Sequence, residues 1–278
     1  MTSSPLVPAP LTRPYAWDLV SQDYTRDLGP HVSKYAADAL ALAPPAPHGR
    51  VIDVATGPGT LALLAARLGH RVTAVDFSPA MVALLRTRAA TDGLDRLLDV
   101  RVGDGEALPF DDASFDSAFS IFGLMFFADR ARGLSQLRRV TAPGGCAVIG
   151  SWAPFESLPA IAALFAALRR AAPDLDIPPV PAHLGEVEEV HRAMRSAGFV
   201  SVDVHTVSHD LGFDSPAAFF ASFARSAAPV ALLRERIGEQ RWSAIAETAS
   251  RDLTVILGAG PLRVPMPARL GIGRCREA

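Results

Sequence analysis

The chain has 278 residues, of which 49% are hydrophobic and 20% are charged, and its formal net charge is −2 at pH 7. That length and apolar content allow a full buried core and exclude an intrinsically disordered protein. Because the charges nearly balance, we expect no nucleic-acid partner. Lys34 is the single lysine, which argues against chemistry through a lysine Schiff base.

The cysteines, the N-terminal residues and the length of the apolar runs bear on metal binding and on membrane association. Cys146 and Cys275 lack the spacing of metal ligands, and we predict that no metal is bound. Residues 1–14 lack the basic start and apolar run of a signal peptide and are predicted to form a loose tail. No run reaches the roughly 18 apolar residues that a bilayer-spanning helix requires. We therefore expect a cytoplasmic protein without a membrane partner.

Helix and strand patterns alternate along the first half of the chain. Residues 15–42 are predicted to form two helices with a break at Gly29, and the prolines within residues 44–47 end them. Helices are predicted after the first, second and fourth strands, and the strands lie at residues 51–55, 71–76, 98–103, 115–122 and 146–152. Parallel strands need such crossovers, so the pattern predicts an α/β protein with a Rossmann-like, doubly wound sheet.

The second half of the chain is less regular. Residues 153–190 contain an alanine-rich helix at 161–171 and a proline-rich stretch, and they are predicted to form a lid. Residues 191–278 are predicted to complete the sheet, with a helix at 191–197 and strands at 200–207 and 262–274. The remaining divisions are the tail, N-terminal cap helices at 15–46, a cofactor-binding core at 47–152, and cap helices inserted at 212–260.

A glycine-rich turn follows the first predicted strand, within residues 51–59 (VIDVATGPG). Gly57 and Gly59 lack a Cβ, so a ligand can approach the backbone at the sheet edge where open α/β proteins bind ligands. Asp76, at the end of the second strand, can accept hydrogen bonds from both hydroxyls of a ribose. These features predict a single site for a ribose-containing cofactor.

Two cofactor classes fit this turn. Gly57, Gly59 and Ala62 match the G-x-G-x-x-A pattern that places a dinucleotide pyrophosphate at a helix N-terminus. Asp53 lies beside the same turn, where its carboxylate repels a pyrophosphate and attracts a cationic amino-acid group. A positively charged ligand is favoured, with capping of the loop amides as the other interpretation of Asp53.

Four motifs resemble, in order and spacing, those of class I S-adenosylmethionine-dependent methyltransferases, in particular the ubiquinone/menaquinone-type group that acts on small molecules. They are the turn at 51–59, the acidic strand end at Asp76, residues 103–110 (GDGEALPF) and residues 142–145 (APGG). The resemblance covers roughly residues 15–152. It implies a seven-stranded sheet with an antiparallel last strand. It also implies S-adenosylmethionine across the ends of the first four strands and S-adenosylhomocysteine as the product.

The resemblance implies residue roles as well. The methionine part of the cofactor would lie at Asp53 and the turn, the ribose at Asp76, and the adenine beside Phe77. With Tyr24, whose ring and hydroxyl could close over the cofactor or orient an acceptor, the residues expected at the cofactor are Tyr24, Asp53, Ala55, Thr56, Gly57, Gly59, Asp76, Phe77, Met81, Asp104, Gly105, Glu106, Ser120 and Ile121. The chain departs from the family pattern at residues 55–56, where Gly-Cys or Gly-Thr is usual, and at Gly105, where Ala is usual.

The acceptor side of the site is less well defined by the sequence. Methyl transfer from a sulfonium depends mainly on alignment, and a base is needed only to deprotonate the acceptor. His31 and His183 are the candidate catalytic bases. Phe122, Met125 and Phe220 are expected to line an apolar substrate pocket.

The predicted function is therefore methyl transfer from S-adenosylmethionine to a small, largely apolar acceptor, on oxygen before carbon or nitrogen, in a setting such as secondary metabolism. Two alternatives stay open. One is an S-adenosylmethionine-binding protein with a non-methylating or regulatory role, and the other is a nicotinamide or flavin oxidoreductase. Besides the acceptor, a second copy of the chain in a homodimer is left open as a partner.

Overall fold

The computed structural model describes residues 9–154, 157–177 and 183–277. The predicted tail and lid therefore lie partly outside the described residues. The helices and strands in chain order are α1 (Pro14–Asp27), α2 (Gly29–Leu42), β1 (Arg50–Val54), α3 (Thr60–Arg67), β2 (Arg71–Asp76), α4 (Pro79–Thr91), β3 (Leu98–Val102), β4 (Phe115–Ile121), α5 (Arg130–Val140), β5 (Thr141–Trp152), α6 (Pro159–Ala171), α7 (Val187–Ser196), β6 (Ser201–Phe213), α8 (Pro216–Ser226), α9 (Ala228–Ile237), α10 (Glu239–Leu257) and β7 (Leu262–Arg274).

The strands form one seven-stranded sheet in the order β3-β2-β1-β4-β5-β7-β6. β1 to β5 are parallel, and β7 is antiparallel to both β5 and β6. This confirms the predicted doubly wound, Rossmann-like class with an antiparallel last strand. Because β1 lies between β2 and β4, the winding reverses there, and the carboxyl ends of these strands border the crevice in which such sheets bind ligands.

The central strands are apolar because helices cover both faces of the sheet. Val51 packs with residues of α2, α3 and α4 on one face. Ile52 and Val54 point the other way and pack with α5 and α7. All three are at most 1% exposed. Burial on both sides explains why β1 lacks the alternation of polar and apolar residues that a half-exposed strand shows.

The ribbon of β6 and β7 extends beyond the rest of the sheet. The two strands pair from Ser201 with Arg274 to Phe213 with Leu262, whereas β5 pairs only with residues 268–274 of β7. The prediction of β7 is confirmed, and β6 is longer than predicted because its pairing with β7 continues through polar residues. Pro265 lies in the extension, where its missing amide donor removes no bond to β5.

The first described residues do not form a loose tail. Ala9–Thr12 is a short 3-10 helix, and Leu11 is 3% exposed because it packs in an apolar cluster with α1 and α9. The expectation of a loose segment is therefore wrong for these residues. Residues 1–8 lie outside the described part of the chain.

No single described helix has both the length and the apolar content needed to cross a bilayer. Only α8 and α9 taken together meet those criteria, and they are bent by 80° relative to each other.

Tyr35 of α2 joins the extended ribbon to the N-terminal helices. Its side chain is 1% exposed, its hydroxyl donates to the carbonyl of Met266, and it accepts from the amide of His209 at 3.2 Å. Tyr35→Phe leaves both backbone groups without this partner, so we expect the free energy of unfolding to fall by about 1–3 kcal/mol in urea denaturation. Tyr15→Phe is the control, because Tyr15 is 54% exposed. An equal effect of the two variants would contradict the assignment.

Candidate functional site

A cavity of about 450 Å³ lies at the carboxyl ends of β1, β2, β3 and β4. We call it the cofactor cavity. Its floor is formed by the turn after β1, by the residues that follow β2 and β3, and by the end of β4. Helices α1 and α2 supply the opposite wall, through Trp17, Tyr24 and Val32. The cavity thus occupies the position at which the reversal of strand order predicts a ligand.

Asp76 is the most strongly positioned carboxylate in this cavity. Its Oδ2 accepts from the amide of Gly57 at 2.7 Å, and its Oδ1 accepts from the amide of Ser78 at 2.9 Å. The side chain is 5% exposed, and burial raises its pKa to about 6 although the two amide bonds act in the opposite direction. Each oxygen keeps a second lone pair, so the group can still accept from two neighbouring hydroxyls.

Asp53 serves the turn as well as the cavity. Its Oδ2 accepts from the hydroxyl of Thr56 at 2.6 Å and from the amide of Ala62 at 3.2 Å, which ties the turn to the first turn of α3. Burial raises its pKa to about 7, against these hydrogen bonds and with a smaller contribution from the charge of Asp76. Asp53 therefore performs the amide-capping role weighed in the sequence and also lines the cavity.

The two departures from the family pattern have structural counterparts. Ala55 has φ 56°, in the left-handed region that favours glycine, and the usual residue there is Gly. At Gly105 an added Cβ would lie 2.5 Å from Cζ of Phe127 and 2.8 Å from Cγ1 of Val54. Phe127 lines the cavity, so the aromatic ring occupies the space that an alanine at position 105 would require.

Helix α1 is held over the cavity by a polar contact with α4. Asp18 Oδ1 accepts from the hydroxyl of Ser78 at 2.5 Å and from the amide of Ala80 at 3.1 Å. On the same helix, Trp17 makes an edge contact with Phe126, with the ring centroids 4.8 Å apart. The helix that covers the cavity is thus fixed to the same loop that positions Asp76.

A second cavity of about 150 Å³ adjoins the first. We call it the apolar pocket. Five residues line both cavities, namely Trp17, Tyr24, Val32, Phe122 and Phe126. The other lining residues come from α2, α6, α8, α9 and the strand ends, and they are Leu28, His31, Met125, Trp152, Ala153, Leu158, Ile161, Phe165, Leu211, Phe223, Ser226, Ala227, Ala228, Pro229 and Met266. Ligands in the two cavities would therefore share Tyr24 and Phe122 as neighbours.

Most of the residues expected at the cofactor are brought together. Those that line the cofactor cavity are Tyr24, Asp53, Ala55, Thr56, Gly57, Asp76, Phe77, Met81, Asp104, Gly105, Glu106 and Ile121. Gly59 and Ser120 line neither cavity. Gly59 instead forms the N-cap of α3, with φ 83°, and Ser120 is fully buried within β4.

The acceptor-side predictions divide in the same way. His31, Phe122 and Met125 line the apolar pocket. His183 lines neither cavity, and its neighbour Leu184 packs with α5 and α7 on the other face of the sheet. Phe220 also lies outside both, because its ring stacks on Trp242.

Sequence reasoning missed several pocket residues. Trp17 and Phe126 lie in both cavities, and Trp152, Phe165 and Phe223 lie in the apolar pocket. An aromatic residue at the end of β5, Trp152, could have been found by asking which side chains follow the carboxyl ends of strands. The helical residues could not, because their spacing is also that of an ordinary core.

Affinity for S-adenosylhomocysteine should depend on pH. The pKa of Asp53 is raised to about 7 and that of Asp76 to about 6, so both carboxylates become protonated as the pH is lowered through this range. Protonation removes negative charge from the cavity and acceptors from the ribose site. We therefore expect the affinity to fall from pH 7.5 to pH 5.5 and to be constant above pH 8. Calorimetric titration in buffers of different ionisation enthalpy should show proton release on binding near pH 6. An affinity independent of pH would contradict this.

The stability of the free protein should change in the opposite direction. The native state binds these two protons more tightly than the unfolded chain, whose aspartates have ordinary pKa values. The contribution of the pair to the free energy of unfolding therefore falls as pH rises from about 4 to about 7. This opposite sign separates carboxylate titration from general acid denaturation.

Within residues 9–154, 157–177 and 183–277, no group of three or more His, Cys, Asp or Glu side chains is arranged to hold a metal ion. The side chains that do converge are the acidic residues of the cofactor cavity and the aromatic residues of the apolar pocket.

Comparison with known proteins matches the part of the chain that contains the turn after β1 and Asp76. Residues 52–149 match the family model of a methyltransferase domain. A ubiquinone/menaquinone biosynthesis C-methyltransferase, UbiE, of Geobacter sulfurreducens is 44% identical over 104 residues, which cover 36% of this chain and 41% of that one. A demethylmenaquinone methyltransferase of Thermus thermophilus is 42% identical over 108 residues, covering 38% of this chain and 48% of that one. The match thus spans less than half the length of these relatives.

Similarity of fold extends over more of the chain. The crystal structure of the YcgJ protein from Bacillus subtilis covers 88% of this chain and 99% of its own, with a TM-score of 0.59 and 18% identity. At that identity the likeness concerns the fold alone. The sequence match, by contrast, contains the turn after β1, Asp76 and the 103–110 motif. Residues 52–149 therefore belong to the methyltransferase-domain family, and this part of the chain is similar to methyltransferases of the ubiquinone/menaquinone type.

Proposed function

We propose that the protein transfers a methyl group from S-adenosylmethionine, bound in the cofactor cavity, to a small and largely apolar acceptor in the apolar pocket. The observation that carries this proposal is the charge of the cofactor cavity. Four acidic side chains line it, Asp53, Asp76, Asp104 and Glu106, and no Arg or Lys is among its described lining residues. This field suits the cationic sulfonium and ammonium of S-adenosylmethionine and opposes the pyrophosphate of a dinucleotide.

The residues of the cofactor cavity fit the parts of this ligand. Asp76 has both oxygens available to ribose hydroxyls, and the turn at Gly57 leaves space at the backbone, since an added Cβ there would meet nothing within 4 Å. Phe77 and Met81 would bracket the adenine. When bound, S-adenosylmethionine supplies an electrophilic methyl group on its sulfonium.

Tyr24 lies where the two cavities meet. Burial, and then the charge of Asp76, raise the pKa of Tyr24 to about 12, so its hydroxyl stays protonated and can act as a hydrogen-bond donor but not as a base. We propose that Tyr24 orients the acceptor beside the methyl group. Alignment of this kind accounts for much of the rate of a displacement between two bound ligands.

The acceptor site would be enclosed by three segments. The N-terminal helices at 15–46 contribute Tyr24, the lid at 153–190 contributes Leu158, and the cap helices at 212–260 contribute Phe223. We propose oxygen as the acceptor atom, supported by the imidazole of His31 in the pocket, which can take the proton of a hydroxyl. The curated relatives named as C-methyltransferases make carbon the alternative.

The test begins with binding. The purified protein is titrated calorimetrically with S-adenosylmethionine, S-adenosylhomocysteine and NADH. We expect micromolar affinity for the two adenosyl ligands and no heat from NADH. S-adenosylhomocysteine release during incubation with a panel of apolar acceptors then tests transfer. Binding of NADH alone would overturn the proposal, and adenosyl binding without turnover on any acceptor would favour the non-methylating alternative.

A further inference from the structure

We propose that the apolar pocket binds an uncharged hydroxyarene of a single ring, and that its hydroxyl donates to Nδ1 of His31, which takes the proton during methyl transfer. This inference rests on the proposed function and specifies its acceptor. It follows from three features of the pocket, namely its size, the absence of basic side chains in its described lining, and the state of His31.

The size of the pocket limits the acceptor to about one ring. Its volume is about 150 Å³, and a dry apolar cavity of about 150 Å³ in another protein holds one benzene molecule. The walls are aromatic on several sides. Phe122 and Trp152 stack with their ring centroids 3.8 Å apart and an interplanar angle of 16°. Both rings line the pocket, and an aromatic lining suits an aromatic ligand.

The charge of the lining excludes an anionic acceptor. No Arg or Lys is among the described residues that line the pocket. A carboxylate or phosphate would be buried there without a counter-ion, close to the acidic residues of the cofactor cavity, and burial of an unpaired charge is strongly unfavourable. The ring therefore carries neutral substituents.

His31 supplies an open hydrogen-bonding position in this apolar environment. It lines the pocket, and its Nδ1 is buried without a hydrogen-bond partner. Burial, and then the charge of Lys34, lower the pKa of His31, so the imidazole is neutral near pH 7 and can accept a proton. A buried polar atom without a partner is costly, and a ligand hydroxyl that bonds to it removes that cost.

A hydroxyl fits Tyr24 and His31 better than an amine does. The protonated phenol of Tyr24 can donate a hydrogen bond, and the neutral imidazole of His31 can accept one. A ligand hydroxyl can accept from Tyr24 and donate to His31 through the same oxygen. During transfer the acceptor oxygen gains the methyl carbon and loses its proton to His31. The electron pair of the broken carbon–sulfur bond stays on sulfur, so the sulfonium charge is replaced by that of the imidazolium.

The experiment compares p-cresol with toluene, which differs only by the hydroxyl, as ligands of the full protein saturated with S-adenosylhomocysteine. We expect about tenfold tighter binding of p-cresol in calorimetry or ligand-observed NMR. The preference should fall to within about twofold in His31→Leu. It should persist in His205→Leu, which alters an exposed histidine of β6. Equal binding of the two ligands by the unmodified protein overturns the inference whether or not the variants fold.

Three further ligands test size, charge and the hydroxyl. We expect 2-naphthol, 4-hydroxybenzoate and p-toluidine each to bind at least about tenfold more weakly than p-cresol. Equal or tighter binding of any one of them overturns the corresponding part of the inference. The binding of S-adenosylhomocysteine is measured first in the same samples. Its absence sinks the proposed function, whereas its presence without a preference for p-cresol sinks only this inference.

Discussion

Asp76→Asn should weaken the binding of S-adenosylhomocysteine by about 100-fold or more. The variant keeps the size of the side chain and removes its charge and one of its two acceptor oxygens. A hydrogen bond to a charged group contributes about 1.5–3 kcal/mol, and two of them are affected at the ribose. In addition, the side-chain NH2 of Asn would face the backbone N–H of Gly57 or of Ser78. Both groups are donors, whereas Asp76 accepts a hydrogen bond from each of these amides.

Calorimetric titration measures this effect, and Asp99→Asn is the matched control. Asp99 is an exposed aspartate of β3 whose ion pair is with Arg101 at 2.6 Å, and it lines neither cavity. We expect its substitution to change affinity by less than about twofold. Retention of affinity within fivefold in Asp76→Asn, with an unchanged unfolding midpoint, would show that the ribose is bound elsewhere.

The sheet could be predicted from the sequence because its signals are local. Each of the strands β1 to β4 is a short segment in which apolar residues recur, and their bounds agree with the prediction to within a residue or two. The sequence predicts the start of β5 at Cys146, because residues 142–145 (APGG) are typical of a turn. In the structure β5 begins at Thr141, and the pairing with β4 is irregular between Thr141 and Cys146. Such an irregularity depends on pairing with a neighbour and leaves no periodic signal.

The cofactor cavity could be predicted for a similar reason. Its residues lie just after strands, and the carboxyl ends of parallel strands meet at one edge. Ser120 lines neither cavity, since it lies one residue before the end of β4 and is fully buried. The φ of 62° at Phe122, by contrast, follows from no sequence rule that we applied.

The apolar pocket could be predicted only in part because its residues come from distant segments. Phe220 and Phe223 are the same residue type and lie three positions apart on α8, yet only Phe223 lines the pocket. The choice between them depends on the rotation of α8 against α10, where Trp242 stacks on Phe220. His183 lines neither cavity, and its neighbour Leu184 packs on the opposite face of the sheet. Long-range packing of this kind is not encoded in local patterns.

Gly59→Ala should lower the free energy of unfolding by about 2–5 kcal/mol. Gly59 has φ 83°, where a residue with a Cβ costs about 1–2 kcal/mol. The added Cβ would also lie 2.0 Å from Cδ1 of Leu85, which is fully buried. Displacing a packed core side chain costs a further amount of about 1–3 kcal/mol. Urea denaturation measures the loss. Gly59 lines neither cavity, and its observed position is at the start of α3, packed against Leu85.

The control is Gly69→Ala, at the other end of α3. Gly69 has a similar φ of 89°, but an added Cβ there meets nothing within 4 Å, so only the backbone cost of about 1–2 kcal/mol should appear. Leu85→Ala provides the second comparison, because it removes the clashing atoms. The loss of unfolding free energy in the double variant Gly59→Ala/Leu85→Ala should be smaller, by about 1–3 kcal/mol, than the sum of the losses in the two single variants. Equal losses at Gly59 and Gly69, with additive behaviour in the double variant, would show that the contact with Leu85 does not constrain position 59.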